Sequence, residues 1–117
     1  MGEPGGKYNK LWAKYLVKFL DEYAKQNVSI WGITVQNEPE AGFMDSFPWN
    51  SLALNYSLER DFIKLDLGPE LHKHGYTKDK LAVMIHDGQL PLAKKFVAGV
   101  LEDKDAAKYV SGIAFHW

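Results

Sequence analysis

The 117-residue sequence contains no cysteine, which excludes a disulfide framework, a thiolate metal site and a cysteine nucleophile. It also lacks a charge imbalance. Its 14 basic and 15 acidic residues leave a net charge of -1, and no basic cluster interleaves with aromatics, so the electrostatic footprint of a nucleic-acid binder is missing. No apolar run approaches the roughly 20 residues of a membrane span. Met1-Gly2-Glu3-Pro4-Gly5-Gly6 lacks the charged-then-apolar pattern of a signal peptide, so no export route is encoded in this segment. A phosphate-cradling glycine loop is missing too, because Gly5-Gly6 follows no strand pattern, and no cofactor is expected. What remains is one domain length of chain with 46% hydrophobic and 14% aromatic residues, enough to build a core.

Ser29 to Val35 carries no charge and is rich in β-branched residues, and it runs into Gln36-Asn37-Glu38 before Pro39 closes it. Such a run predicts a strand buried on both faces, which belongs to a parallel sheet covered by helices. The pattern recurs. Leu81 to Ile85 ends in His86-Asp87-Gly88-Gln89, and Val110 to Trp117 carries His116 near its end. Segments of helix length separate the three runs, so the order helix, strand, helix, strand, helix, strand implies parallel strands joined by right-handed crossovers. Glu38, Asp87 and His116 then converge on one edge of the sheet, where alternating strand–helix barrels keep their catalytic groups.

Tyr8, Leu11, Trp12, Tyr15, Leu16, Phe19, Leu20 and Tyr23 recur at helical spacing, which predicts an amphipathic helix with this stripe in the core and Asn27 as its stop. Ser57 is the expected N-cap of a second helix, buried through Leu58, Phe62, Ile63 and Leu65, kinked at Gly68-Pro69 and continuing to about Lys73. His72 and His74 share no helix face and are expected in solvent. Pro91 suits the first turn of a third helix packed through Leu92, Phe96, Val97, Val100 and Leu101, and Asp103 caps a short further turn. Asn27-Val28-Ser29 and Asn55-Tyr56-Ser57 are glycosylation-type sequons, a weak pointer to a secretory route.

Glu40 to Asn55 is a long connection holding Phe43, Met44, Phe47, Pro48 and Trp49. Connections of this length in compact domains are usually functional or disordered, and disordered ones seldom hold so many aromatics. Because it leaves the strand end that carries Glu38, its aromatics are placed to wall a substrate pocket. A glutamate beside an asparagine at such a tip suits general acid/base work on a sugar: the acid protonates a glycosidic oxygen while the amide bonds a neighbouring hydroxyl. His86, Asp87 and His116 have no fixed metal-ligand spacing, so no metal site is expected. No serine sits in a strand-to-helix elbow, which disfavours a serine hydrolase.

Several stretches carry a family resemblance: Glu3-Pro4-Gly5 with Leu11 to Asp21, Gln36 to Gly42, Arg60 to Ile63 with Asp66-Leu67-Gly68-Pro69, and Asp105 to Trp117. Together they resemble an internal stretch of the glucosylceramidases of glycoside hydrolase family 30. The resemblance implies an α/β fold, a partial (β/α)8 TIM barrel in which residues 1–117 form part of the catalytic domain and the three strands are the barrel's fourth to sixth. It implies Glu38 as acid/base, with Asn37, Phe47, Trp49, Asp87 and His116 binding substrate. The family pattern at the fifth tip is two aspartates, a polar residue and arginine; this chain has His86-Asp87-Gly88-Gln89, so only Asp87 transfers. The nucleophile is implied at a seventh strand tip beyond Trp117, so the isolated chain is expected to be inactive. Further implications are a retaining mechanism on glucosylceramide or another β-glucoside, sphingolipid metabolism, a lysosomal location, a lipid-presenting activator protein and contact with a membrane surface. Two alternatives are another family 30 glycosidase acting on glucans or xylans, and a non-catalytic sugar-binding or interaction fragment.

Overall fold

The structure, a computed structural model, describes residues 2–116. The three uncharged runs form three parallel strands, β1 (Gly32–Thr34), β2 (Ala82–Gly88) and β3 (Gly112–Phe115), in the order β1-β2-β3. Helix α1 (Lys7–Lys25) precedes β1; α2 (Tyr56–Phe62), a π-helical turn (Ile63–Leu67) and α3 (Gly68–Lys73) link β1 to β2; α4 (Leu90–Leu101) and α5 (Lys104–Ala107) link β2 to β3. Trp117, expected at the end of the third strand, lies outside the described residues.

Alternation on β2 sets the layers. Val83 and Ile85 are buried among Phe62, Ile63, Leu67, Phe96 and Val100 of the helices, while Ala82 and Met84 between them are only half-buried on the other face. Burying a side chain such as Phe62 or Ile85 contributes about 1.5–3 kcal/mol. The expectation that the first strand is buried on both faces is wrong. Gly32, Ile33 and Thr34 are half-buried and Trp31 is 73% exposed, because β1 is an edge strand with a neighbour on one side only. The other edge behaves alike: Ile113 pairs in register with the buried Ile85, yet stands 45% exposed.

The predicted stripe of α1 is corrected as well. Ala13, Val17 and Leu20 form the buried seam and Trp12 and Leu16 its flank, whereas Tyr8, Leu11, Tyr15, Phe19 and Tyr23 are exposed. The apolar arc is wider than the surface that covers it: among the described residues the main contacts of α1 are with the π turn and α3. Its end was legible. Asn27 adopts φ 61°, its N–H reaches the Ala24 carbonyl at 3.0 Å, and the Val28 N–H reaches that of Tyr23 at 3.1 Å, which satisfies the last carbonyls in a Schellman motif.

The second helix is capped by Asn55, not by Ser57. The Asn55 Oδ1 accepts the Leu58 N–H at 2.9 Å, and the Ser57 hydroxyl donates to the same oxygen at 2.7 Å. The proline is accommodated one turn early: the Gly68 N–H reaches the Ile63 carbonyl, five residues back, in the wider π turn. That extra residue rotates the register, so Leu67 and Leu71 are buried and Leu65, expected inside, is exposed. Gly68 is needed for packing, because a Cβ there would lie 2.4 Å from the Tyr109 ring. On α4, Phe96 and Val100 are buried and Val97 packs against them, but Leu92 and Leu101 face outward and the small Ala93 and Gly99 occupy the seam. Asp103 caps α5 as expected, accepting from the Asp105 and Ala106 N–H groups at 2.9 and 3.1 Å. His72 and His74 are exposed, His74 lying 3.4 Å from Glu70.

Candidate active site

The C-terminal ends of the three strands meet around Asp87. Its carboxylate accepts the Thr34 hydroxyl of β1 at 2.6 Å, its carbonyl accepts the Glu38 N–H at 2.9 Å, and the same carbonyl lies 3.1 Å from Nε2 of His116 beyond β3. The His116 N–H in turn donates to the Gly88 carbonyl at 3.0 Å, and its ring lies 3.8 Å from the Asp87 carboxylate. Glu38, Asp87 and His116, some 80 residues apart in the chain, are thus brought together as their strand-tip positions imply.

The backbone here departs from regular strand geometry. Glu38, His86 and Asp87 have φ of 46°, 76° and 57°, a left-handed region that disfavours residues with a Cβ and that clusters at functional sites. At the same place the β2–β3 register shifts between His86 and Gly88, a bulge that re-aims the side chains at the strand end. Gly88 leaves little room for a side chain: a Cβ would lie 3.0 Å from Cε1 of the buried His86 ring, which would have to give by a few tenths of an ångström.

Glu38 borders a cavity of about 280 Å³ whose other walls include Glu40, Ala41, Met44, Phe47, Gln89 and Leu92. Glu40 and Leu92 also line a second cavity of about 440 Å³, whose other walls include Phe43, Asn55, Tyr56, Pro91, Lys95 and Phe96. The connecting loop therefore walls the pocket rather than folding back onto the core. Its base is closed by the Leu54 N–H on the Pro39 carbonyl at 2.9 Å, and Gly42 sits so close to Ala53 that a Cβ would lie 2.3 Å from its nitrogen. Phe47 faces the first cavity, and Trp49, 72% exposed, meets Phe47 edge-on at 5.4 Å, so it reaches the site only through that ring. Asn37 is exposed at the tip, with its carbonyl accepting from the Gln36 side chain at 2.9 Å. A further cavity of about 340 Å³, lined by Leu20, Ile30, His74 and Tyr76, lies at the opposite end of the strands, away from all of these groups.

One group was not anticipated from the sequence. Glu59 of α2 is fully buried, and its Oε1 accepts the His86 N–H at 3.0 Å. Burial pushes its carboxyl up to about 8; the His86 hydrogen bond acts against this, and the negative charges of Asp87 and Glu40 add to it. It stands one turn into the helix and 27 residues from His86, and nothing local signals its burial. Among the described residues, no group of three or more His, Asp or Glu side chains is arranged to hold a metal ion.

The profile of the glycosyl hydrolase family 30 TIM-barrel domain matches residues 1–117. The chain belongs to this family. It is 43% identical over 116 residues to the lysosomal acid glucosylceramidase of Mus musculus, covering 99% of this chain and 22% of that protein. Two solved structures share its fold at a TM-score of 0.80 and 26% identity over 93% of this chain: the endo-beta1,6-glucanase BT3312, of which it covers 24%, and SrfJ from Salmonella typhimurium, of which it covers 23%. The chain thus spans about a fifth of the relatives it matches, and its three parallel strands with their helices are part of a family 30 (β/α)8 barrel. No helix among the described residues is long and apolar enough to cross a membrane.

Proposed function

We propose that this chain carries the acid/base half of a family 30 glucosylceramidase site, with residues 1–117 serving as part of the catalytic barrel domain and Glu38 as the proton donor. The observation that carries this is the position of Glu38: beyond the C-terminal end of β1, its N–H donating to the Asp87 carbonyl at 2.9 Å, it borders a cavity of about 280 Å³ whose walls include Met44, Phe47 and Leu92. In a retaining mechanism Glu38 gives its proton to the glycosidic oxygen as the C1–O bond breaks, and a second carboxylate takes the sugar. Glu38, now ionised, removes a proton from the water that releases it. That second carboxylate lies outside this chain by the reading given above. Asn37 is assigned to a sugar hydroxyl, Asp87 and His116 to substrate contacts at the strand ends beside Glu38, and Phe47, extended by Trp49, to the aglycone wall.

The substrate reading is the β-glucosidic bond of glucosylceramide. Met44, Phe47, Leu92, Phe43 and Pro91 in the walls of the two neighbouring cavities suit a lipid aglycone better than a second sugar, and the mouse relative bears the name glucosylceramidase. A lysosomal location, a lipid-presenting activator and work at a membrane surface belong to the same proposal. A second reading, hydrolysis of a β-glucan, is favoured by the likeness to the endo-beta1,6-glucanase. Both are tested by grafting residues 1–117 in place of the matching segment of the mouse relative and assaying a fluorogenic β-glucoside, glucosylceramide and a β1,6-glucan. Glucosylceramide turnover that falls about 10²- to 10⁴-fold in Glu38→Gln is the expected result. Undiminished turnover in that variant overturns the acid/base assignment, and turnover of the glucan alone overturns the lipid substrate.

A further inference from the structure

Glu59 touches neither cavity, and its surroundings give it a different task from that of Glu38. It approaches the end of β2 from the helix side and offers Oε1 to the His86 N–H at 3.0 Å. His86 and Asp87 are successive left-handed residues, each with a Cβ. A conformation of that kind costs on the order of 1–3 kcal/mol per residue and persists only where neighbouring contacts over-determine it. The Glu59 bond holds the first residue of the pair. The second then presents its carbonyl to the Glu38 N–H and to His116, and its carboxylate to Thr34.

We propose that Glu59 is a positioning residue: its buried carboxyl holds the left-handed His86-Asp87 segment and, through the Asp87 carbonyl, sets the placement of Glu38. The proposal rests on the assignment of Glu38 made above. The chemistry of the group fits the task. Burial disfavours its charge and the acidic Asp87 and Glu40 add to that, so the carboxyl keeps its proton at neutral pH. Oε1 then serves as the acceptor, and Oε2, buried without a partner among the described residues, carries the hydrogen. Glutamine reproduces the acceptor and the shape; leucine fills the volume and accepts nothing.

The test reads the backbone of Glu38 directly, in the 117-residue chain labelled with ¹⁵N and ¹³C. In Glu59→Leu, amide exchange at both His86 and Glu38 is expected to quicken roughly tenfold or more, as for loss of a buried hydrogen bond. Glu59→Gln is expected to restore the exchange rates of both amides. Unchanged exchange at Glu38 in the leucine variant overturns the proposal, as does a glutamine variant that behaves like leucine. A wild-type pH titration needs no variant. The His86 and Glu38 amide shifts are expected to move together with the Glu59 carboxyl carbon near pH 8, and a Glu38 amide that stays flat while Glu59 titrates overturns the link. In the grafted mouse enzyme, Glu59→Leu is expected to lower kcat with KM little changed. The two readings fail separately: Glu38→Gln retaining activity removes the catalytic role and leaves the backbone coupling standing, whereas a silent Glu38 amide removes the coupling alone.

Discussion

On α1, Tyr8, Leu11, Tyr15, Phe19 and Tyr23 repeat at helical spacing and stand in solvent; at the end of β2, His86-Asp87-Gly88 follow no period and are largely enclosed. The first region has regular backbone and few partners, the second strained backbone and many. Periodicity identifies the apolar face of a helix, but whether that face is covered depends on what lies beside it, which no local pattern encodes. The strand tip shows the converse. Polar groups without a repeat are drawn together there because a left-handed turn leaves its peptides free to bond across strands, from Glu59 to His86 and from Asp87 to Glu38.

The comparison breaks most directly if the tip is loosened from behind. Phe62 lies three residues from Glu59 on the same helix, is fully buried, and packs under β2. Phe62→Ala is expected to destabilise the chain by about 3–5 kcal/mol in urea unfolding. A cost under about 1 kcal/mol would mean that the tip does not depend on the helix layer.

A smaller effect separates the two regions by pH. Glu59 is raised from an ordinary value of 4.5 to about 8 by burial, so between those values the folded chain holds a proton that the unfolded chain has released. Unfolding free energy therefore falls as pH rises from about 4.5 to about 8, by a few kcal/mol at most. Asp103, held down by its hydrogen bond to Lys64, has the opposite sign and loses its contribution as pH falls through its folded value. The difference between wild type and Glu59→Gln isolates the first effect. Glutamine is expected to remove the slope and to stabilise the chain most at pH 8, and parallel stability curves would sink the buried-acid reading.

How much was legible in the sequence follows from the same contrast. The three strands, their parallel order, the stop at Asn27, Pro91 at the start of α4 and the Asp103 cap could all be read, because each is fixed by a few adjacent residues. So could the convergence of Glu38, Asp87 and His116, which follows from alternation alone. Long-range features were not legible: Glu59 lies 27 residues from its partner His86, and the π turn that hides Leu67 and exposes Leu65 answers a proline beyond it. The Asn55 cap was within reach, since asparagine caps as well as serine, but the Leu58 N–H can bond an oxygen three residues back and Ser57 stands too near. Asn55→Ala is expected to cost about 1 kcal/mol and Ser57→Ala less, by thermal unfolding; the reverse order would restore Ser57 as the cap.

The smallest expected effect tests the bare face itself. Tyr15 stacks on Trp12 with ring centroids 5.2 Å apart and is 57% exposed, so Tyr15→Ser in the 117-residue chain is expected to change stability by no more than about 0.5 kcal/mol. Val17, two residues on and buried in the seam, supplies the control: Val17→Ala removes packed methyl groups and should cost more. In a closed (β/α)8 barrel each outer helix has a neighbour on both flanks, whereas the main contacts of α1 among the described residues here are with the π turn and α3. The same tyrosine substitution made in the grafted mouse enzyme is therefore expected to cost clearly more than in the chain alone. Equal costs in both settings would mean that this aromatic face stays in solvent even in the complete barrel, and the width of the α1 stripe would then need an explanation other than helix packing.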